Sequence, residues 1–177
     1  MVNIVFETHS TSTDNEAGLA SGWNDPNLSE KGKEQARELG DRRKNDKFAA
    51  VFCADMERTY QTASIAFGND PRLIYCDWRL RECDYGTFNG KPEELVNSEK
   101  PKRIDKPFTG GESYEDCIKR MRSFLEDLKD RFDGHSVLII GTLVPYYALE
   151  HLTKSRDLKQ VITEPRPWQP GWEYELE

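Results

Sequence analysis

A histidine follows directly on the first predicted strand of this chain. Residues 2–6 are β-branched, aromatic or otherwise apolar apart from Asn3, which predicts a buried strand, and His9 comes next in a run rich in hydroxyl side chains. In open α/β sheets, ligands bind beyond the carboxyl ends of the strands. This imidazole is therefore a candidate for chemistry at the mouth of a site. The alternative is a histidine that only caps or hydrogen-bonds its own polar loop.

Arg58 and Glu82 follow the second and third predicted strands. Arg58 falls in the first turn of a predicted helix, where an arginine can hold a phosphate or carboxylate in a bidentate grip. Glu82 is a carboxyl group that can act as a general acid in a pocket. The alternatives are ordinary ion pairs, with Arg58 at the surface and Glu82 bound to Arg79 or Arg81.

Strands and helices alternate along the chain and would position these residues. Ser29 and Ser113 are predicted N-caps, the latter in a capping box with Asp116. Because strands alternate with helices, we predict an α/β fold with a largely parallel sheet. The predicted strands cover roughly residues 3–6, 49–53, 73–76 and 136–140. The predicted helices cover residues 29–43, 56–67, 113–132 and 145–154.

The composition indicates a single domain over residues 1–177, with residues 87–111 as an insertion near the site that forms a partial lid. The net charge of −7 argues against nucleic-acid binding. No apolar stretch approaches the roughly 20 residues of a membrane span, and no secretory signal is recognisable, so we expect no membrane partner and a cytoplasmic protein. The oligomeric state is left open.

The cysteines and histidines do not predict a metal site. The four cysteines lack C-x-x-C spacing, which favours reduced thiols. His9, His135 and His151 are far apart in the chain without the spacing of zinc ligands.

Five motifs in the expected order resemble those of the histidine phosphatase superfamily, whose fold is phosphoglycerate mutase-like. The resemblance covers nearly the whole chain. It rests on residues 8–12 with Asn15, on residues 22–32, on Asp55, Arg58, Gln61, Thr62 and Ala63, on Leu80, Arg81 and Glu82, and on residues 110–113.

The resemblance implies a three-layer sandwich with a central, mostly parallel sheet and helices on both faces. It implies that His9 attacks a phosphoryl group to form a phosphohistidine, and that Glu82 protonates the leaving oxygen. It implies a small phosphorylated substrate. It implies neither a metal nor an organic cofactor. The substrate-binding positions carried over are Ser10, Asn15, Arg58 and Thr142.

Two positions depart from the family pattern. Thr8 stands where the family has its first arginine, and Thr142 where it has its second histidine. Each lost charge-assisted hydrogen bond is worth roughly 1.5–3 kcal/mol, or about 10- to 150-fold in rate if it acts in the transition state. We therefore expect weak activity, unless other groups compensate. The candidates are Arg81, Lys100, Lys102 and Arg103.

Three functions remain open on the sequence. The first is a weakened phosphatase, which we favour over a mutase because the segment after Glu82 is short. The second is a repurposed or engineered pocket that hydrolyses activated esters, with His9 aided by Ser10, Ser12 or Cys53. An apolar wall over residues 143–146 would suit such a ligand. The third is a non-catalytic protein that binds a ligand in the old pocket.

Overall fold

The computed structural model describes residues 1–68 and 73–177. In this part of the chain, strands and helices alternate as the sequence predicts. The strands are β1 (Val2–Thr8), β2 (Leu19–Ala20), β3 (Ala50–Cys53), β4 (Ile74–Cys76), β5 (Lys91–Pro92), β6 (Ser136–Gly141) and β7 (Trp172–Leu176). The helices are α1 (Thr13–Glu16), α2 (Glu30–Arg43), α3 (Glu57–Phe67), α4 (Glu93–Glu99), α5 (Tyr114–Phe132), α6 (Leu143–Lys154) and α7 (Leu158–Thr163).

The central sheet has the strand order β4-β3-β6-β1-β7. Its first four strands are parallel, and β7 alone is antiparallel, paired with β1 in a register that sets Ile4 opposite Tyr174. The prediction of a mostly parallel sheet is confirmed. The sequence interpretation omitted β7, although Trp172 and Tyr174 alternate there with Glu173 and Glu175 in the period of a half-buried strand.

The hydrophobic core lies on both faces of the sheet, because successive side chains of a strand point to opposite sides. Val51 in β3 packs with Leu39 of α2 and with Phe67 of α3. Phe52, the next residue, belongs to the core on the other face, together with Met121 of the long helix α5. This is the predicted three-layer α/β sandwich.

Helix starts follow the predicted local signals. Ser29 accepts a hydrogen bond from the Gly32 amide, and Ser113 forms the reciprocal capping box with Asp116. These caps bond amide groups that the first turn of a helix leaves without partners.

Residues 87–111 contain more regular structure than their composition indicates. Strand β5 pairs with β2, helix α4 follows at once, and a 3₁₀ turn occupies residues 100–102. That these residues form a partial lid remains a prediction.

None of the helices described within residues 1–68 and 73–177 is both long enough and apolar enough to cross a membrane.

Candidate active site

A cavity of about 610 Å³ opens at the carboxyl edge of the sheet, beyond β1 and β6. It brings together residues that are far apart in sequence. Five of the six predicted site residues line it: His9, Asn15, Arg58, Glu82 and Thr142. Thr8 lines it as well, whereas the Ser10 side chain is not among the described residues that do.

His9 follows the last residue of β1, and its backbone amide donates to the Gly141 carbonyl at 2.9 Å. Its ring Nδ1 lies 2.7 Å from the carbonyl oxygen of Ser10. Because a carbonyl only accepts, Nδ1 carries the proton, and the lone pair of the neutral ring is on Nε2. The Ser10 amide in turn donates to Thr62 Oγ1 of α3 at 3.0 Å, so helix α3 fixes the loop. Ser10 therefore contributes to this geometry through its main chain.

The His9 imidazole is neutral throughout the physiological range. Burial, and after it the charge of Arg58, lowers its pKa from 6.5 to about 3; Arg166 acts in the same direction. A neutral imidazole with a fixed tautomer is a nucleophile with its lone pair available.

The depressed pKa of His9 predicts a loss of stability in acid. The unfolded imidazole takes up a proton near its ordinary value of 6.5, whereas the folded one resists protonation until about 3. Because the unfolded state binds more protons within this window, stability is complete above it and falls as the pH drops through it. Urea unfolding at about pH 7 and about pH 5 checks this. We expect the drop to be smaller in His9→Gln, and an equal drop in both proteins would contradict the assignment.

Arg58 is buried at the start of α3, where it donates from Nη1 to the Asn24 carbonyl at 2.9 Å and from Nη2 to the Gly22 carbonyl at 2.8 Å. Among the described residues it forms no ion pair, so the surface ion-pair alternative is wrong. Burial lowers its pKa, against the opposing charges of Glu82 and Asp25. The guanidinium is thus anchored by neutral carbonyls, and these contacts do not neutralise its positive charge, which acts on the cavity.

Gly22 is required for this anchor. Its φ of +55° is a conformation that other residues rarely adopt, and an added Cβ would lie 2.0 Å from Asn89 Oδ1.

Glu82 is buried, and its carboxylate lies between two backbone amides. Its Oε1 accepts from the Cys83 amide at 2.9 Å and its Oε2 from the Leu143 amide at 3.1 Å. The second bond connects Glu82 to the first residue of α6. The predicted alternative of an ion pair is wrong: Arg79 bonds Asp77 and Asp127, and Arg81 bonds Asp55.

Asn15 lines the cavity from α1. Its Oδ1 accepts from the backbone and the hydroxyl of Ser12, each at 3.0 Å. Ser12 is therefore committed to a helix cap. Cys53, the other nucleophile considered, lies with its Sγ 3.7 Å from that of Cys76, and neither Ser12 nor Cys53 is among the described residues lining the cavity.

Thr142 lies between β6 and α6, and its buried Oγ1 has no hydrogen-bond partner in the part of the chain that the structure describes. The apolar wall predicted over residues 143–146 is wrong. Leu143 lines the cavity, but the next residue of α6 to do so is Tyr147. The reason is the helical repeat, which places residues four apart on one face.

Two further cations line the cavity, Lys100 and Arg166. Lys100 was one of the four basic residues proposed to supply charge. Arg81, Lys102 and Arg103 instead bond to carboxylates, Arg81 to Asp55 and the other two to Glu99. Arg166 was missed, since it lies in a proline-rich segment without periodicity, and no local signal relates it to His9.

A cluster outside the cavity has ligand types that suit a metal. Sulfur and carboxylate atoms of Cys83, Glu112 and Cys117 lie within 4.8 Å of one another. However, Arg120 donates to both Glu112 oxygens and lies 3.4 Å from Cys117 Sγ. The Arg120 guanidinium thus occupies the position that a metal ion would take among these ligands.

The fold and the cavity define a protein whose sheet edge presents a neutral histidine beside an anchored arginine and a buried glutamate. The family model of the histidine phosphatase superfamily (branch 1) matches residues 4–154. The chain belongs to the histidine phosphatase superfamily.

Its relatives include phosphatases and mutases. Phosphoserine phosphatase 1 of Hydrogenobacter thermophilus is 31% identical over 158 residues, 84% of this chain and 74% of that protein. A 2,3-bisphosphoglycerate-dependent phosphoglycerate mutase of Streptococcus pneumoniae is 36% identical over 96 residues, and the match spans 42% of its length. The solved structure of Bacillus stearothermophilus YhfR has a TM-score of 0.84 at 26% identity, over 96% of this chain and 88% of that one.

Proposed function

We propose that this protein is a phosphatase that hydrolyses a small phosphomonoester through a phosphohistidine on His9. The observation that carries the proposal is the His9 ring, whose Nδ1 is bonded to the Ser10 carbonyl while the charged Arg58 lies in the same cavity. A nucleophile and a group that offsets phosphoryl charge are thereby side by side.

The proposed reaction has two steps. First, His9 Nε2 forms a bond to phosphorus as the bond to the ester oxygen breaks, and Glu82 gives a proton to that oxygen. Then water forms a bond to phosphorus, the Nε2–phosphorus bond breaks, and Glu82 takes the proton from the water. One carboxyl group acts as acid and then as base, as microscopic reversibility requires. Arg58 stabilises the charge of the transferring group in both steps.

Hydrolysis is favoured over mutase chemistry by the share of each chain that the alignments with the relatives cover. The phosphoserine phosphatase aligns over most of both chains, whereas the mutase match covers 51% of this chain and less of its own. Ester hydrolysis has less support, because Ser12 and Cys53 lie outside the group of described residues that line the cavity. The proposed substrate is therefore a phosphorylated small molecule.

Paired assays test the proposal. We expect the protein to hydrolyse 4-nitrophenyl phosphate faster, relative to the uncatalysed rate, than it hydrolyses 4-nitrophenyl acetate. Acid-labile, alkali-stable phosphate should be trapped on the protein in a rapid quench. Faster ester turnover without a phosphoprotein would favour the repurposed hydrolase, and binding of phosphate without turnover of either compound would favour a non-catalytic binding protein.

Introducing a histidine at position 142 should raise turnover. Thr142→His would place a second imidazole where an unpartnered hydroxyl now lines the cavity. A new charge-assisted hydrogen bond to the transferring group predicts an increase in kcat of about 10- to 150-fold. Steady-state kinetics with Thr153→His provides the control, because Thr153 lies in α6, the helix that follows Thr142, but is not among the described cavity-lining residues. An unchanged kcat in Thr142→His would show that this position does not limit the rate.

A further inference from the structure

Arg166 reaches the cavity from a segment outside the family match. The match ends at residue 154, whereas Arg166 lies between the end of α7 at Thr163 and the start of β7 at Trp172. This connection lines one wall of the cavity with Thr163, Glu164, Pro165 and Arg166.

The guanidinium of Arg166 is held in place by aromatic rings. Its central carbon lies 4.8 Å from the ring centroid of Trp172 and 5.3 Å from that of Tyr146. Such contacts attract a cation to the ring face without using its hydrogen-bond donors. Pro165 and Pro167 flank the residue, and their fixed φ angles reduce the freedom of the backbone. The arginine is preorganised before any ligand arrives.

Two of the three guanidinium nitrogens of Arg166 are buried and form no hydrogen bond with the described residues. These are Nε and Nη1, and within residues 1–68 and 73–177 no carboxylate is recorded in an ion pair with this guanidinium. Its neighbour Glu164 bonds Arg156 instead. A buried donor without a partner costs roughly 1–3 kcal/mol, and more when it is charged. Because Arg166 also lines the cavity, an anionic ligand bound there would supply acceptors that the described residues do not.

The surroundings of Arg166 indicate where that ligand lies. Thr142, whose buried Oγ1 also lacks a hydrogen-bond partner among the described residues, lines the same cavity. The charge of Arg166 also contributes to the lowered pKa values of His9 and Lys100. Its field therefore acts on the nucleophile itself. A planar guanidinium with free donors can form a bidentate pair of hydrogen bonds with two oxygens of a phosphoryl group.

We propose that Arg166 binds the phosphoryl group during its transfer to His9, and supplies with the Thr142 hydroxyl part of the stabilisation absent at positions 8 and 142. The inference rests on the proposed phosphatase function, and it assigns to this chain a phosphate-binding residue outside the family match. A second guanidinium from the C-terminal wall thus joins Arg58.

Titration with inorganic phosphate tests the proposal without requiring turnover. Arg166→Met keeps an apolar side chain against Trp172 and Tyr146 but removes the charge. We expect its affinity for phosphate to fall about 10- to 150-fold by calorimetry, and kcat/KM for a phosphomonoester to fall by a similar factor. Arg122→Met removes the same charge from an exposed position of α5 and should leave both values unchanged.

A second variant separates binding from packing. Arg166→Lys keeps the charge without the planar fork, and we expect it to recover part of the phosphate affinity that Arg166→Met loses. Equal losses in both variants, with lowered thermal stability, would assign Arg166 a structural role and overturn the proposal. So would wild-type affinity in Arg166→Met.

The outcomes distinguish this inference from the proposed function. Phosphate binding that depends on Arg166 in a protein without turnover would refute the phosphatase function and leave Arg166 as an anion-binding residue. Turnover that is the same in wild type and Arg166→Met would refute the inference alone. Absence of both turnover and phosphate binding would refute both.

Discussion

His9→Gln is expected to reduce the turnover of phosphomonoesters by at least about a thousandfold, a loss of roughly 4 kcal/mol in transition-state stabilisation. Glutamine offers no nitrogen lone pair comparable to that of the neutral imidazole, so no covalent intermediate can form. Steady-state kinetics measures the loss, and a rapid acid quench should show that the phosphoprotein has disappeared.

The matched control for His9 is His135→Gln. His135 is exposed, and its Nδ1 lies 2.8 Å from the Asp133 carbonyl, a contact similar to that of His9 with Ser10. Both variants remove a ring and its bond to a nearby carbonyl, but only His9→Gln removes the proposed nucleophile. Phosphatase activity that persists in His9→Gln, with the quenched phosphate still on the protein, would mean that another residue is attacked or that water reacts directly.

Glu82→Gln is expected to slow hydrolysis by about 10²- to 10⁴-fold for alkyl phosphates, the range of a lost general acid. The loss should be much smaller for 4-nitrophenyl phosphate, because that oxygen leaves without a proton. A series of phosphomonoesters with graded leaving groups measures the difference as a steeper dependence of log kcat on leaving-group pKa.

Glu93→Gln is the control for this second prediction, since Glu93 lines the same cavity without the two amide contacts of Glu82. Glutamine at position 82 also turns an amide donor towards the amide of Cys83 or Leu143, and unfolding curves should accompany the kinetics. An equal loss for every leaving group, together with lowered stability, would make Glu82 a residue that holds the start of α6 rather than an acid.

The part of the fold that sequence predicts well is encoded locally. Ser29 and Ser113 cap their helices with groups three residues away, and the buried strands are continuous apolar runs. The candidate site was predictable in the same way, because His9, Arg58 and Glu82 each follow a strand, and the parallel strands bring their carboxyl ends to one edge. Each of these inferences required only neighbouring residues or the direction of a strand.

The features that sequence did not predict depend on contacts between distant parts of the chain. Arg166 lines the cavity because the connection between α7 and β7 passes beside it. The carbonyl anchors of Arg58 come from Gly22 and Asn24, which no pattern relates to it. Strand β7 escaped because its charged alternate residues hide a short edge strand.

The pairing of β1 with β7 has a consequence for the order in which the site can assemble. Val2 lies opposite Leu176, so the strand that leads to the nucleophile gains its last neighbour from residues made long after it. On a growing chain, the sheet from β1 to β6 can leave the ribosome, and can hold His9, Arg58 and Glu82 together, before Arg166 emerges. The nucleophile would thus be in place first, and the cavity would receive its second guanidinium as the final strand docks.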